Sequence, residues 1–145
     1  MIWFLRHGDA EQGAPGQPDS ERRLTKKGEK QSRMAGRALA ALGVKLDACL
    51  SSPKVRAAET AQIACAELGL DVTLDPALAG GDFDARSLAA GYGDVLLVGH
   101  EPDFSRAIQE LTGGRVQMKK GGLAGVDERE LHSLLRAKQV TAIAK

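Results

Sequence analysis

The sequence is poor in aromatic residues, with three phenylalanines, one tyrosine and one tryptophan among 145 residues. Few side chains are therefore present on which nucleic-acid bases could stack. Charge of either sign is not in excess either, since twenty lysines and arginines are matched by nineteen aspartates and glutamates. The chain thus lacks the basic surplus that is typical of proteins that bind nucleic acid or an anionic membrane. We expect neither as a partner.

Cysteines and long apolar runs are scarce as well. Cys49 and Cys65 lie in apolar segments and form no C-x-x-C pair, which favours buried free thiols, with one disulfide as the alternative. No run reaches the length of a membrane span, and the first apolar run ends at Arg6, too early for a signal peptide. We therefore expect a cytoplasmic protein. Length and a hydrophobic content of 43% predict one globular domain over residues 1–145.

Short apolar runs alternate with segments of helical periodicity. The runs predict strands over 1–5, 47–52, 71–75 and 94–100. The periodic segments predict helices over 26–42, 54–69 and 102–111, separated by loops at 9–23 and 76–93, the second with room for one short helix. Segments 115–118 and 121–127 predict a hairpin or two edge strands, and the pattern after Asp127 favours neither helix nor strand. The alternation predicts an α/β fold, a three-layer α/β/α sandwich with a mostly parallel central sheet.

Polar residues follow three of these strands at the point where each strand ends. Arg6 and His7 follow the first strand, Arg56 lies one turn into the helix after the second, and His100 follows the strand at 94–100. Because sites in open parallel sheets form at the carboxyl ends of the strands, these four residues should converge at one edge. Each of them alone is more typical of a structural or surface residue, but their joint placement favours a site.

Two histidines and two arginines together suit covalent phosphoryl transfer. The arginine fork matches phosphoryl oxygens and stays charged, and a neutral imidazole is a capable nucleophile. Helices that begin near Pro53 or Glu101 add partial positive charge at their N-termini. The two arginines should also keep His7 unprotonated.

A zinc site is the alternative interpretation of the same residues. His7, His100 and His132 could bind zinc together with Asp9 or Glu101. Two nearby arginines would oppose a divalent cation, and the sequence has no H-E-x-x-H or H-x-H spacing. The residues therefore favour phosphoryl transfer.

Four segments resemble, in order, the signature segments of the histidine phosphatase superfamily: FLRHGDA (4–10), RRLTKKGEKQS (22–32), CLSSPKVRAAETA (49–61) and VLLVGHEPDFS (95–105). The residues of these segments and the short length of the chain are most similar to those of the SixA-type phosphohistidine phosphatases. After Arg115 only the length and MKKGGLAGV, which resembles a late hairpin of that branch, support the likeness. The resemblance implies a phosphoglycerate mutase-like fold and no metal or organic cofactor.

The resemblance also implies roles for individual residues. His7 matches the nucleophile that becomes phosphorylated, and Arg6 and Arg56 match the two arginines that clamp the phosphate. His100 matches the second histidine, which contacts the phosphoryl group and stabilises its transition state.

Many relatives that cleave phosphate esters carry an acidic proton donor in an insertion, which corresponds here to the short stretch 70–93. Asp82 and Asp84 are the nearest candidates for a general acid, although acids in such a loop are usually solvated turn residues. A phosphohistidine has less need of an acid than an ester, because imidazole is the better leaving group. We therefore predict a phosphatase for phosphohistidine on a protein, such as a histidine-containing phosphotransfer domain or carrier. The alternatives are a phosphomonoesterase for a small phosphorylated metabolite and a non-catalytic phosphate-binding module.

Three geometric expectations remain. Neighbouring strand residues face opposite ways, so Arg6 and His7 reach one phosphate only if the strand has ended by Arg6. Loop 9–23 should border the mouth of the site, as a rim that contacts a partner or as a plain connection. If the late hairpin folds back, Lys119 and Lys120 lie near the site, where they could face an acidic partner. Otherwise they form a solvated turn.

Overall fold

The structure, a computed structural model, describes residues 1–145. Its strands are β1 Ile2–Arg6, β2 Ala48–Ser51, β3 Val72–Leu74, β4 Val95–Gly99, β5 Leu123–Asp127 and β6 Glu130–Leu135. Its α-helices are α1 Lys26–Ala41, α2 Val55–Ala66, α3 Ala85–Ala89, α4 Asp103–Thr112 and α5 Ala137–Ala144. Two short 3-10 turns span Asp19–Glu21 and Pro76–Leu78.

All six strands join one sheet in the order β3-β2-β4-β1-β5-β6. The first four strands in this order are parallel to one another, and β5 and β6 add two antiparallel pairings at one edge. β1 pairs with β4 along its whole length, from Ile2 opposite Val95 to Arg6 opposite Gly99. The carboxyl ends of β2, β4 and β1 therefore lie side by side, and the prediction of a mostly parallel sheet is confirmed.

Helices cover both faces of the sheet. Trp3 and Leu5 of β1 pack into a core formed with α1, α2 and α5. Phe4, which faces the other way, packs into a second core formed with α3 and α4, where its ring lies 5.1 Å from that of Phe104. The three-layer sandwich is thus confirmed. Residues of β1 therefore alternate between the two cores.

The start of α1 lies directly against the segment that carries His7. Thr25 caps this helix by accepting a hydrogen bond of 3.1 Å from the Gly28 amide. A Cβ on Gly8 would lie 2.6 Å from the Gly28 carbonyl oxygen, and a Cβ on Gly28 would collide with the Asp9 carbonyl. Only glycine permits two backbones to approach so closely, so this pair fixes the position of the chain just after His7.

The region after α4 differs from the prediction. The predicted strand at 121–127 is present as β5, but residues 115–118 form no strand, and the hairpin lies later, between β5 and β6, with α5 following it. The reason is that side chains bind the backbone at Met118: Arg6 donates to its carbonyl and Glu101 accepts from its amide. Cys49 and Cys65 are buried free thiols, as predicted. None of the helices combines the length and the apolar character that a membrane span requires.

Candidate active site

His7, Arg56 and His100 converge at the carboxyl ends of β1, β2 and β4. All three are buried, with exposed fractions of 6%, 6% and 5%. The two imidazole rings lie 5.3 Å apart between centroids. The N-termini of α2 and α4 begin three residues beyond Ser52 and His100, so both helix ends follow the strands directly into this region.

The backbone selects which nitrogen of His7 is free. Its Nδ1 lies 2.7 Å from the Gly8 carbonyl oxygen, which can only accept, so Nδ1 carries the proton. The Gly8 amide in turn donates to the Thr60 hydroxyl at 3.1 Å, and that hydroxyl donates to the Arg56 carbonyl. Nε2 of His7 is left with its lone pair free, as a nucleophile requires.

Both imidazoles are neutral near pH 7. Burial lowers the pKa of His7 to about 4, and the charges of Arg56, Arg6 and Lys120 act in the same direction. Burial likewise lowers the pKa of His100 to about 3, helped by His7 and Arg56. An uncharged His7 keeps the lone pair that a protonated ring would lose.

Ser52 orients His100. Its hydroxyl oxygen lies 2.8 Å from Nε2 of His100 and accepts a hydrogen bond from the Lys54 amide at 3.1 Å. The hydroxyl proton has no other acceptor here, so it is best placed by donating to Nε2. The proton of the neutral ring then sits on Nδ1, which becomes a hydrogen-bond donor.

The site holds unpartnered donors. Only four buried side-chain nitrogen or oxygen atoms in the chain have no hydrogen-bond partner, and three of them are Nε of Arg6, Nε of Arg56 and Nδ1 of His100. Buried polar groups in native proteins are almost always paired, so three orphans at one place indicate a missing ligand. Each of the three can donate a hydrogen bond, which indicates an anion.

β1 ends at Arg6, as expected, and His7 lies just beyond the strand. Arg6 still pairs with Gly99 inside the ladder, and the His7 amide continues it by donating to the Gly99 carbonyl at 3.1 Å. On the other side the Arg6 amide donates to Gly122, so both neighbours hold the backbone extended. The Arg6 side chain donates from Nη1 to the Met118 carbonyl, and its charge helps to lower the pKa of His7, so it lies close to that ring.

Loop 9–23 borders the site, as predicted, because Asp19 in its 3-10 turn accepts hydrogen bonds from Arg56. The late segment folds back as well. The Gly121 amide donates to the carbonyls of Arg6 and His7, and Lys120 lies 3.5 Å from an Asp9 carboxylate oxygen. The basic pair is therefore placed at the mouth through Lys120.

The candidate acids do not join this constellation. Asp82 forms an ion pair with Arg106 of α4. Asp84 caps α3, and the hydrogen bond from the Ser87 backbone lowers the pKa of its carboxyl.

His132 is exposed on β6 and contacts Ser133, so the three histidines of the zinc interpretation do not come together. No group of three potential metal-ligating side chains occurs in the chain.

Sequence reasoning missed the roles of Ser52, Thr60 and Asp19. Thr60 follows Arg56 by four residues on the same helix, a spacing that places both on one face and could have been noticed. Asp19 lies in an irregular loop, where nothing in the pattern indicates its contact with Arg56, 37 residues away.

We expect acid to destabilise the protein through its two buried histidines. The ordinary pKa of imidazole is 6.5, whereas the folded values are about 4 for His7 and about 3 for His100. Between about pH 7.5 and about pH 5.5 the unfolded chain gains protons that the folded chain does not, so the free energy of unfolding should fall by about 1.4 kcal/mol per histidine. Urea unfolding at the two pH values measures this change. The variant His7→Gln should lose about 1.4 kcal/mol less than the wild type, and equal losses would contradict the assignment.

Comparisons with known proteins agree with this geometry. The family model of the histidine phosphatase superfamily, branch 1, matches residues 2–89. An uncharacterized protein of Picosynechococcus sp. is 36% identical over 137 residues, which cover 86% of this chain and 83% of that protein.

Solved structures share the fold over nearly the whole chain. The protein histidine phosphatase SixA, solved in complex with tungstate, has a TM-score of 0.81 and 26% identity, covering 94% of this chain and 97% of that one. An Agrobacterium tumefaciens protein assigned as a phosphohistidine phosphatase SixA has a TM-score of 0.81 and 23% identity, covering 92% and 96%. These similarities confirm the phosphoglycerate mutase-like fold and the SixA-type likeness of the motifs.

Proposed function

The chain belongs to the histidine phosphatase superfamily, and on that premise we propose that it hydrolyses phosphohistidine on another protein through a covalent intermediate on His7. Family membership supports phosphatase activity on phosphorylated substrates.

One observation carries the assignment of the site. Three buried, unpartnered donors on Arg6, Arg56 and His100 are grouped with His7, whose Nε2 lone pair is free. A phosphoryl group has the negative oxygens that such donors bind, and its phosphorus is the atom that a nucleophile attacks. Donors alone would suit any anion, but the free nucleophile among them favours a phosphoryl group that is transferred.

In the first step Nε2 of His7 attacks phosphorus and the P–N bond of the substrate breaks. The substrate imidazole can carry a proton on its second ring nitrogen, so it leaves as a neutral imidazole with the electron pair of the broken bond. His7 becomes the cationic, phosphorylated ring, with its Nδ1 proton held by the Gly8 carbonyl. The total charge is therefore the same before and after this transfer. The arginines and His100 bind the oxygens while the phosphoryl group moves.

In the second step a water attacks phosphorus and the bond to Nε2 of His7 breaks. The electron pair returns to Nε2, which restores the neutral imidazole. Both protons of the water leave with the phosphate as dihydrogen phosphate. No proton has to be stored in the site, which is consistent with two imidazoles that remain neutral.

The carboxylates next to the site are already engaged, which favours a leaving group that needs no acid. Asp9 accepts from Thr25, and this hydrogen bond lowers the pKa of its carboxyl. The Glu101 carboxylate accepts from the Ser105 and Met118 amides. An alkyl ester would release an alkoxide that needs a proton at the scissile oxygen itself. The imidazole of a phosphohistidine is protonated on the ring nitrogen that is remote from the scissile bond, where solvent can supply the proton.

We expect kcat/KM for a phosphohistidine protein to exceed that for an alkyl phosphate ester such as phosphoserine by at least about a hundredfold, the usual contribution of a general acid. An aryl phosphate, whose leaving group is a weaker base, should fall between the two. Release of inorganic phosphate measures all three. Rapid turnover of the alkyl ester without action on phosphohistidine would assign a metabolite phosphomonoesterase instead. Phosphate binding with no turnover of any substrate would indicate a non-catalytic module.

A further inference from the structure

Asp19 binds the guanidinium of Arg56 through two hydrogen bonds. Nη1 of Arg56 donates to the Asp19 main-chain carbonyl at 2.9 Å, and Nη2 donates to the carboxylate Oδ2 at 3.1 Å. The Arg56 side chain is only 7% exposed. Most exposed ion pairs contribute little, but two hydrogen bonds to one buried guanidinium restrain the geometry of that arginine.

The contact uses one edge of the guanidinium and leaves the other free. The two Nη groups form the end edge, which Asp19 occupies. Nε and the second proton of Nη2 form the side edge, and Nε is buried without a partner. A guanidinium is planar and rigid, so fixing the end edge also fixes the direction in which the side edge points. That side edge presents two parallel donors to a phosphoryl group.

Asp19 is itself held in place from the loop side. Its second carboxylate oxygen, Oδ1, accepts a hydrogen bond of 2.9 Å from Nε of Arg22. Lys54, at the start of α2, lies 3.9 Å from Oδ2. The carboxylate is thus anchored on both sides, although Asp19 is 59% exposed.

We propose that Asp19 is a positioning residue, which holds the end edge of Arg56 so that its side edge meets the transferring phosphoryl group. The inference rests on the proposed function of the site. It connects the 3-10 turn at the rim to the phosphate clamp. A rival interpretation is that the carboxylate occupies the place of the phosphate and competes with it. The free side edge of Arg56 argues against competition.

The test compares Asp19→Ala with Asp19→Asn. Both variants remove the negative charge and keep the main-chain carbonyl, but only asparagine keeps a side-chain oxygen that can accept from Nη2 of Arg56. We expect Asp19→Ala to lower kcat by about tenfold to a hundredfold, with a small change in KM. The reason is that a misplaced group stabilises the transition state less, while binding of the substrate in its ground state changes little. Asp19→Asn should restore kcat to within about threefold of the wild type. Glu21→Ala, in the same turn and at a residue whose hydrogen bond from Gln17 uses only its main-chain carbonyl, is the control and should leave kcat unchanged.

A double-mutant cycle tests whether Asp19 acts through Arg56. In the Arg56→Ala background, Asp19→Ala should cause no further loss of kcat, because the group that it positions is gone. Additive losses would overturn the inference, and so would equal kcat values for the alanine and asparagine variants.

Binding of inorganic phosphate, measured by calorimetry, separates this inference from the proposed function. Asp19→Ala should bind phosphate more weakly than Asp19→Asn. Tighter binding by the alanine variant would support competition and overturn positioning. A wild-type protein that turns over no phosphorylated substrate would refute the proposed function, while the ratio of the two phosphate affinities would still decide the role of Asp19.

Discussion

Replacing His7 with alanine should abolish turnover, with kcat lower by at least about ten-thousand-fold, the scale seen when a catalytic nucleophile is removed. The variant loses the only unprotonated, unpartnered ring nitrogen that the backbone presents at the end of β1. Water would then have to attack the substrate directly, and the transfer could no longer be divided into two easier steps. The remaining donors on Arg6, Arg56 and His100 would still bind phosphate.

Turnover should be measured together with trapping of the intermediate. In a rapid quench the wild type should retain phosphate in a bond that is labile to acid and stable to base, and His7→Ala should retain none. His132→Ala removes an exposed histidine on β6 and should keep both the intermediate and kcat. A phosphoenzyme in the His7→Ala variant, or turnover close to that of the wild type, would refute the mechanism.

The second largest effect is expected at Arg56. Replacement by alanine should lower kcat/KM by about a thousandfold or more, in the range found for arginines that stabilise phosphoryl transfer. Replacement by lysine keeps the charge but removes the planar fork, so a loss of about a hundredfold should remain. The lysine variant therefore separates the contribution of geometry from that of charge.

Arg37 provides the matched control for this series. It lies exposed on α1, where it forms an ion pair with Glu67, away from the strand ends. Arg37→Ala should leave kcat/KM unchanged. If Arg56→Lys were as active as the wild type, the site would need only a positive charge, and the oriented side edge of the guanidinium would have no role.

The sequence was sufficient to locate β1, β2 and β4, because strands covered on both faces are continuously apolar. The polar residues that interrupt each run then had to lie at the strand ends, so His7 and His100 could be placed at one edge of the sheet. The N-cap of α1 was predictable for a similar local reason, since Thr25 satisfies the helix start with its own side chain.

The remaining features depend on contacts between distant parts of the chain. Residues 115–118 have the composition of an edge strand, but side chains from β1 and from the start of α4 bind the backbone of Met118 instead. Arg6 pairs with Gly99 of β4, in a distant part of the chain, as the last residue of its strand. Neither partner can be read from the local sequence.

Asp19 shows the same limit at the site itself. An aspartate between proline and serine in a polar loop looks like a turn residue, and it does start a 3-10 turn. Its contact with Arg56 exists only because the loop crosses the mouth of the site.

The central position of β1 has a consequence for the order in which a working enzyme arises during synthesis. β1 is made before the other strands but lies between β4 and β5, and the carbonyls of Arg6 and His7 accept hydrogen bonds from the Gly121 amide. His7 therefore lacks the neighbours on both sides of its strand until more than a hundred further residues have been synthesised. A nascent chain that ends before β4 cannot bring His7 and His100 together, so we expect activity to appear only when synthesis is nearly complete. Phosphate release during translation would consequently report on completed folding of the whole sheet.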